Sequence, residues 1–364
     1  MKGRPGKPGR SRRIGSNRVP RISWDPRSGV KGGIADRRSG ILEAVRIVVS
    51  GGTGFVGQAL CHTIVARGDQ AVVLTRGPSR DVCHACAECG AGGKVVLATW
   101  TPEKPGAWMN VIDGADAVVH LAGASIADER WTAERKRELR SSRVESTKLL
   151  AQAIARAKRK PSVFVSVSAV GHYGMKAGDR VLTEADPPGD DFLARLTCEW
   201  ESAADAARDA GVRVVHPRFG LVLGRGGGVY GKLAPLFRSF VGGPVGDGTQ
   251  YMPWVHIRDT VRAVEAMVIR EDLVGAYNVT APEPVTMNEL AEALGASLNR
   301  PSLMRVPAFA VKMAMGAEAA EAVLTGQRAI PKRLVDAGFE FVFPDLASAL
   351  ADLALDDRVA AVPA

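Results

Sequence analysis

Ser50-Gly51-Gly52-Thr53-Gly54-Phe55-Val56-Gly57 lies between a run of β-branched residues and a longer stretch with helical spacing. Gly51, Gly54 and Gly57 form a G-x-x-G-x-x-G frame, the spacing suited to cradling a pyrophosphate. The first glycine permits a tight turn, the second lets backbone N–H groups approach the phosphates, and the third lets helix and strand pack closely. Thr53, Phe55 and Val56 fill the frame and are expected to contact the same group. A glycine triplet alone is weak. Here a predicted strand precedes it and a predicted helix follows, which is the context the motif requires; an ordinary strand–helix turn is the alternative.

The end of the second predicted strand selects the dinucleotide. NAD-selective folds place Asp or Glu there to accept from the ribose hydroxyls. This chain has Thr75-Arg76 instead. A carboxylate would repel a 2′-phosphate, whereas a guanidinium grips one with two parallel hydrogen bonds. The expected cofactor is therefore NADP(H), with a solvated surface arginine as the competing reading of Arg76.

The elements that must position these residues alternate. Strands are predicted at Arg46–Ser50, Gln70–Thr75, 94–98, 117–121, 163–168 and 212–216, with helices near 55–67, 133–157 and 192–209. This order predicts an α/β fold, a Rossmann-type doubly wound parallel sheet. The stretch 133–157 carries Leu139, Leu149, Leu150, Ala153 and Ile154 at helical spacing, the pattern of an amphipathic crossover helix. After Pro217 the pattern loosens into glycine-rich loops, a short strand at 276–280, a helix at 287–297 and an Ala/Met-rich segment at 308–324. A smaller C-terminal lobe that receives substrate is expected there, packed over the carboxyl edge of the sheet. The expected division is a basic extension at 1–44, a dinucleotide-binding domain at 45–285 and a small lobe at 286–364.

Net charge is +9, but residues 1–44 hold 12 Lys/Arg against 3 Asp/Glu, so the remainder is neutral. The basic character belongs to a Gly-, Pro-, Arg- and Ser-rich tail that buries too little apolar surface to order itself. An upstream extension of little role, a transit segment, and a contact with RNA or acidic membrane are its three readings; for the chain as a whole, nucleic acid is not the expected partner. No apolar run approaches the roughly 20 residues of a membrane span. Five cysteines without a regular framework fit a reducing, cytoplasmic setting. Cys83, Cys86 and Cys89 are read as a thiol-bearing surface loop rather than a metal site, since no second ligand pair follows.

With these residues in place, the chain resembles the extended and atypical short-chain dehydrogenase/reductases. Within them it is similar to a group of NADP-binding epimerase family proteins, also described as cell-division-inhibitor-like. The resemblance runs from about residue 45 to 354. It rests on the glycine frame, His120-Leu121-Ala122-Gly123, Arg130-Trp131 with Ser142-Arg143, Gly242-Gly243-Pro244 with Trp254-Val255-His256-Ile257, and Gly326-Gln327-Arg328 with Pro331-Lys332-Arg333-Leu334. It implies a small C-terminal domain of unknown function near 305–352. It also implies cofactor contacts from Thr75, Arg76, Leu121, Ala122, Glu138, Arg143 and Val222. Sheet core is the alternative for Leu121 and Ala122, and a solvated helix face for Glu138 and Arg143.

Short-chain dehydrogenases use Ser/Thr with a Tyr-x-x-x-Lys frame, in which the tyrosine moves the proton and the lysine lowers its pKa. Ser168, at the end of the fifth predicted strand, stands where the family serine belongs. Ala194 and Cys198 occupy the expected Tyr and Lys positions. Tyr173 is the candidate substitute acid, with His172 and His256 as others, while Trp131 and Trp254 could wall an apolar pocket. Two functions are open: an NADP(H)-dependent oxidoreductase on a small carbonyl or hydroxyl compound, or an NADPH-binding regulatory protein without the standard chemistry. The sequence selects no particular substrate and no oligomeric state. Deleting residues 1–44 is expected to leave NADPH affinity and solubility nearly unchanged; large losses in a binding titration would overturn the reading of the tail as an accessory extension.

Overall fold

The structure, a computed structural model, describes residues 44–77 and 93–360. The main sheet holds seven strands: β1 (Arg46–Ser50), β2 (Gln70–Thr75), β3 (Lys94–Thr99), β4 (Ala117–His120), β5 (Val163–Ser166), β6 (Arg213–Phe219) and β7 (Gly275–Val279). They run parallel in the order β7-β6-β5-β4-β1-β2-β3, with the short strand Ser168–Ala169 added beside β6. The helices that matter below are α1 (Phe55–Ala66), α2 (Ala133–Arg140), α3 (Ser146–Arg156), α4 (Phe192–Ser202), α5 (Ile257–Ile269), α6 (Met287–Leu298) and α7 (Leu346–Ala360).

Apart from the exposed edge strand β3, the strands read as largely apolar runs because both faces are covered. Along β1, Ile47 and Val49 face one core with Leu60 and Ile64 of α1 and Val261 and Val264 of α5. Val48 faces the opposite core with Leu150 and Ile154 of α3 and Trp100 and Trp108. The period of two in the strand thus feeds two separate cores. A third core joins α6 and α7 beneath Trp254 and Phe237. Strand order reverses between β1 and β4, which opens the crevice at their carboxyl ends where α/β sheets bind ligands.

Two departures from the expected elements have local causes. The strand expected at 163–168 breaks at Val167, and the one expected at 212–216 continues through Pro217 to Phe219. Pairing runs Val165↔Val215 and resumes at Ser168↔Arg218. Pro217, which has no N–H to give, sits opposite that interruption. The crossover helix expected at 133–157 contains a π-helical turn at Ser141–Glu145. Its extra residue shifts the helix face there, and Arg143 lies in that turn.

Candidate functional site

The glycine turn is built by contacts that admit no side chain. Gly51 has φ +72°, and a Cβ there would stand 2.7 Å from Ala122 N. A Cβ at Gly57 would stand 2.1 Å from Gly51 O, so helix and turn pack backbone to backbone. Gly54 is the N-cap of α1, with no side-chain cap and no acidic residue in the first turn. The first-turn N–H groups are therefore left for an anion. Thr53, Phe55 and Val56 are half-buried along this turn. Gln58 Nε2 donates to Thr53 O at 2.9 Å.

Across the crevice, Leu121 and Ala122 follow β4 and are half-buried. The ends of β1 and β4 are locked by His120, which sequence reasoning met only as part of a motif. Its Nδ1 lies 2.5 Å from Ser50 Oγ and its Nε2 3.1 Å from Ser146 Oγ. Burial, with Arg143 nearby, lowers its pKa to about 3, so it serves as a neutral hydrogen-bonding bridge.

Thr75 and Arg76 lie at the end of β2. Thr75 Oγ1 donates to Gly77 O at 3.0 Å, and Arg76 is exposed. Arg143 is buried, donating to Ala124 O at 2.8 Å and Leu139 O at 3.3 Å, with its guanidinium 5.2 Å from the Trp200 ring centre. Its Nε has no acceptor, and burial, together with Arg135, pulls its pKa down to about 10. The crevice thus holds an under-satisfied cation beside the loop after β4. Glu138, by contrast, is exposed and pairs with Arg135 at 2.6 Å. Val222 is half-buried on the strand Leu221–Gly224, beside Val255. An uncapped helix start, a glycine cradle, Arg76 and Arg143 together fit a dinucleotide carrying an extra phosphate.

Ser168 and Tyr173 belong to one buried polar chain. Ser168 Oγ donates to Glu201 Oε1 at 2.7 Å. Arg218 grips the same carboxylate through Nε at 2.8 Å and Nη2 at 2.9 Å. Its Nη1 donates to the Tyr173 hydroxyl at 3.2 Å, and that hydroxyl donates to Asn278 Oδ1 at 2.7 Å. Burial opposes ionisation of Glu201, but the hydrogen bonds and charge of Arg218 prevail and hold its carboxyl below the usual range. Burial raises the Tyr173 phenol above its ordinary value, with Arg218 opposing. This is the reverse of what a Tyr-x-x-x-Lys frame does to its tyrosine.

Ala194 is fully buried, and Cys198 Sγ lies 3.8 Å from His172 Nδ1. His256 stands apart from the chain: its Nδ1 accepts from Arg258 N at 3.2 Å as the N-cap of α5. Trp254 is core, whereas Trp131 is half-buried with its ring centre 5.3 Å from that of Phe192. Sequence reasoning missed Glu201 and Arg218. Neither carried a clear signal: Glu201 reads as one more charge on the helix predicted at 192–209, and Arg218 lies beyond the strand predicted at 212–216. Among the described residues no cluster of His, Cys, Asp and Glu could hold a metal, and no helix is long and apolar enough to cross a membrane. Cys83, Cys86 and Cys89 and the basic tail lie outside the described residues.

Comparison with known proteins places this geometry. Residues 47–280 match the NAD dependent epimerase/dehydratase family, and residues 306–353 match a domain of unknown function, DUF1731. An epimerase family protein of Mycobacterium leprae is 37% identical over 306 residues, covering 84% of this chain and 94% of that one. A chloroplastic homologue of the epimerase family protein SDR39U1 from Arabidopsis thaliana is 38% identical, covering 84% and 85%. The crystal structure of human SDR39U1 with NADPH is 34% identical, covers 86% of this chain and all of that one, and superposes with a TM-score of 0.75. With the parallel sheet, the glycine turn and both matched segments in agreement, the chain belongs to the NAD dependent epimerase/dehydratase family.

Proposed function

We propose that this protein binds NADP(H) on the Gly51–Gly57 turn and is an oxidoreductase acting on a small hydroxyl or carbonyl compound. Thr53, Phe55 and Val56 present backbone N–H groups to the pyrophosphate; Thr75 and Arg76 hold the 2′-phosphate; Leu121, Ala122, Arg143 and Val222 complete the pocket, and Glu138 contributes from the exposed helix face where it holds Arg135. A nicotinamide held there would supply or accept the hydride. The observation that carries the reading is the 2.7 Å hydrogen bond from Ser168 to a carboxylate clamped by Arg218.

Because its proton is committed to Glu201, Ser168 Oγ is left with lone pairs and accepts a substrate hydroxyl. In the oxidising direction the substrate proton passes to Ser168 Oγ as the serine proton moves along its hydrogen bond to Glu201, which, kept acidic by Arg218, gives it up to solvent; reduction reverses these moves. Tyr173 acts through Arg218, fixing the clamp from the far side. The same proposal places the protein in the cytoplasm, without nucleic acid as a partner, in keeping with the free thiols Cys61 and Cys198 and the neutral chain beyond the tail.

The test is cofactor turnover followed at 340 nm against alcohols, aldehydes, ketones, quinones and nucleotide sugars. Ser168→Ala is expected to lower kcat by about 100-fold, the low end for loss of proton transfer, with NADPH affinity unchanged. Tyr173→Phe is expected to cost about tenfold, since it removes the acceptor for Arg218 and the donor to Asn278 but leaves the Ser168–Glu201–Arg218 contacts in place. A second reading, an NADPH-binding regulatory protein, is favoured by Ala194 and Cys198 standing where Tyr and Lys would be. Tight NADPH binding with no turnover on any compound would decide for it.

A further inference from the structure

We propose that the C-terminal helix α7 clamps the cofactor turn from behind, and that Arg225 is the positioning residue that transmits this clamp. Its contribution to cofactor binding passes through Phe55. The inference rests on the reading of Gly51–Gly57 as an NADP(H) site and is independent of the proposed reaction.

Phe55 follows the N-cap glycine of α1, and its ring lies on a bed of glycines. A Cβ at Gly224 would stand 2.5 Å from Phe55 Cζ, one at Gly227 2.6 Å from Cδ2, and one at Gly228 2.9 Å from Cε1. These glycines form a tight hairpin through the bridges Leu223↔Gly228 and Gly224↔Gly227, with Arg225 and Gly226 at its tip. Only glycine lets that hairpin press directly on the aromatic ring of the cofactor turn.

Arg225 carries the contact onward. Its Nε donates to Leu353 O at 2.9 Å and its Nη2 to Asp352 O at 2.6 Å, both on α7. The Asp352 carboxylate lies 3.4 Å from His256 Nε2 and 3.8 Å from Arg258 Nη1. The approach to α7 is tied down too: buried Asp259 accepts the backbone N–H groups of Val342 and Phe343, both at 2.9 Å. Between Phe55, Gln58, Arg258 and Leu353 the joint leaves an open cleft of about 620 Å³. The two parts are therefore not packed solid against each other there, and the hairpin bridges the cleft.

Two sites joined this way obey linkage. A dinucleotide that orders the turn stabilises the docked helix, and undocking the helix weakens the dinucleotide by the same factor. This gives the C-terminal segment a role in cofactor affinity.

The test uses the full chain, NADPH titration and backbone hydrogen exchange. Arg225→Ala is expected to weaken NADPH about tenfold, within the usual 5–150-fold span of such couplings. NADPH is expected to slow exchange over residues 342–355 in the parent protein, an effect lost in Arg225→Ala. Arg225→Lys should restore only part of the affinity, because a single ammonium cannot reproduce the two-pronged grip. Should Arg225→Ala not fold, Asp352→Asn, which alters one half-exposed carboxylate, is expected to weaken NADPH about two- to threefold with faster exchange over the same residues. Affinity within twofold of the parent in Arg225→Ala, or unchanged exchange at 342–355 on adding NADPH to the parent, would overturn the clamp. Failure of the parent to bind NADPH at all would instead overturn the cofactor reading.

Discussion

Glu201→Gln is expected to destabilise the protein by about 3–5 kcal/mol, the range for removing one partner of a buried ion pair. The Arg218 side chain is 6% exposed and that of Glu201 16%, so water does little to compensate either charge. The amide keeps the shape and loses the charge, leaving Arg218 buried with no counter-ion. Ser168 loses its strongest acceptor, and Tyr173 loses the fixed guanidinium that orients it. Denaturant unfolding at neutral pH measures the loss; a drop under 1 kcal/mol would show that the network contributes little. The pH dependence has a definite sign. Glu201 has a lower pKa folded than unfolded, so its contribution is complete above the unfolded carboxyl pKa and is lost as pH falls through the folded value. The gap between parent and Glu201→Gln should therefore narrow in acid. Replacing both partners with apolar residues of similar volume should recover much of the loss, because no charge is then stranded.

Arg76→Glu is expected to weaken NADPH by about 100-fold while changing NADH by less than about threefold. Two parallel charge-assisted hydrogen bonds to a 2′-phosphate contribute about 3 kcal/mol together, and 1.4 kcal/mol is a factor of ten. The exposed position of Arg76 at the end of β2 leaves its guanidinium free to swing onto a ligand, and the introduced carboxylate adds repulsion. NADH carries no 2′-phosphate, and a carboxylate there can accept from its ribose hydroxyls. Fluorescence titration with both nucleotides distinguishes the outcomes; equal losses would make Arg76 a general surface charge.

Much of the fold was legible because parallel sheets leave a strong local trace. Strands buried on both faces must be apolar throughout, as Ile47–Val49 and Val163–Val165 are, and the crossover helix must carry a stripe such as Leu139, Leu150 and Ile154. The break at Val167 and the strand through Pro217 were not legible, because each depends on which neighbouring strand supplies hydrogen bonds at that level. Glu138 and Arg143 show the same limit. Five apart on one helix, they share a periodic description, yet the π turn buries Arg143 against the β4 loop while Glu138 stays on the surface with Arg135.

By itself the sequence determined the phosphate turn. Gly57 is demanded by the Gly51 carbonyl six residues away and Gly51 by its positive φ as well as by the approach of Ala122, so the spacing carries most of the turn's signature, and Arg76 fixed the expected dinucleotide from a single charge. It also established that Tyr and Lys are missing at 194 and 198. What stands in their place was decided by tertiary structure. Ser168 and Tyr173, neighbours in one turn, and Glu201, Arg218 and Asn278 come from four separate segments spread over more than a hundred residues. Only the packing of α4 and β7 around β6 brings them within hydrogen-bonding distance. A buried charge has no local signature beyond being out of place; its partner is chosen by the fold, because an unpaired charge could not remain inside it.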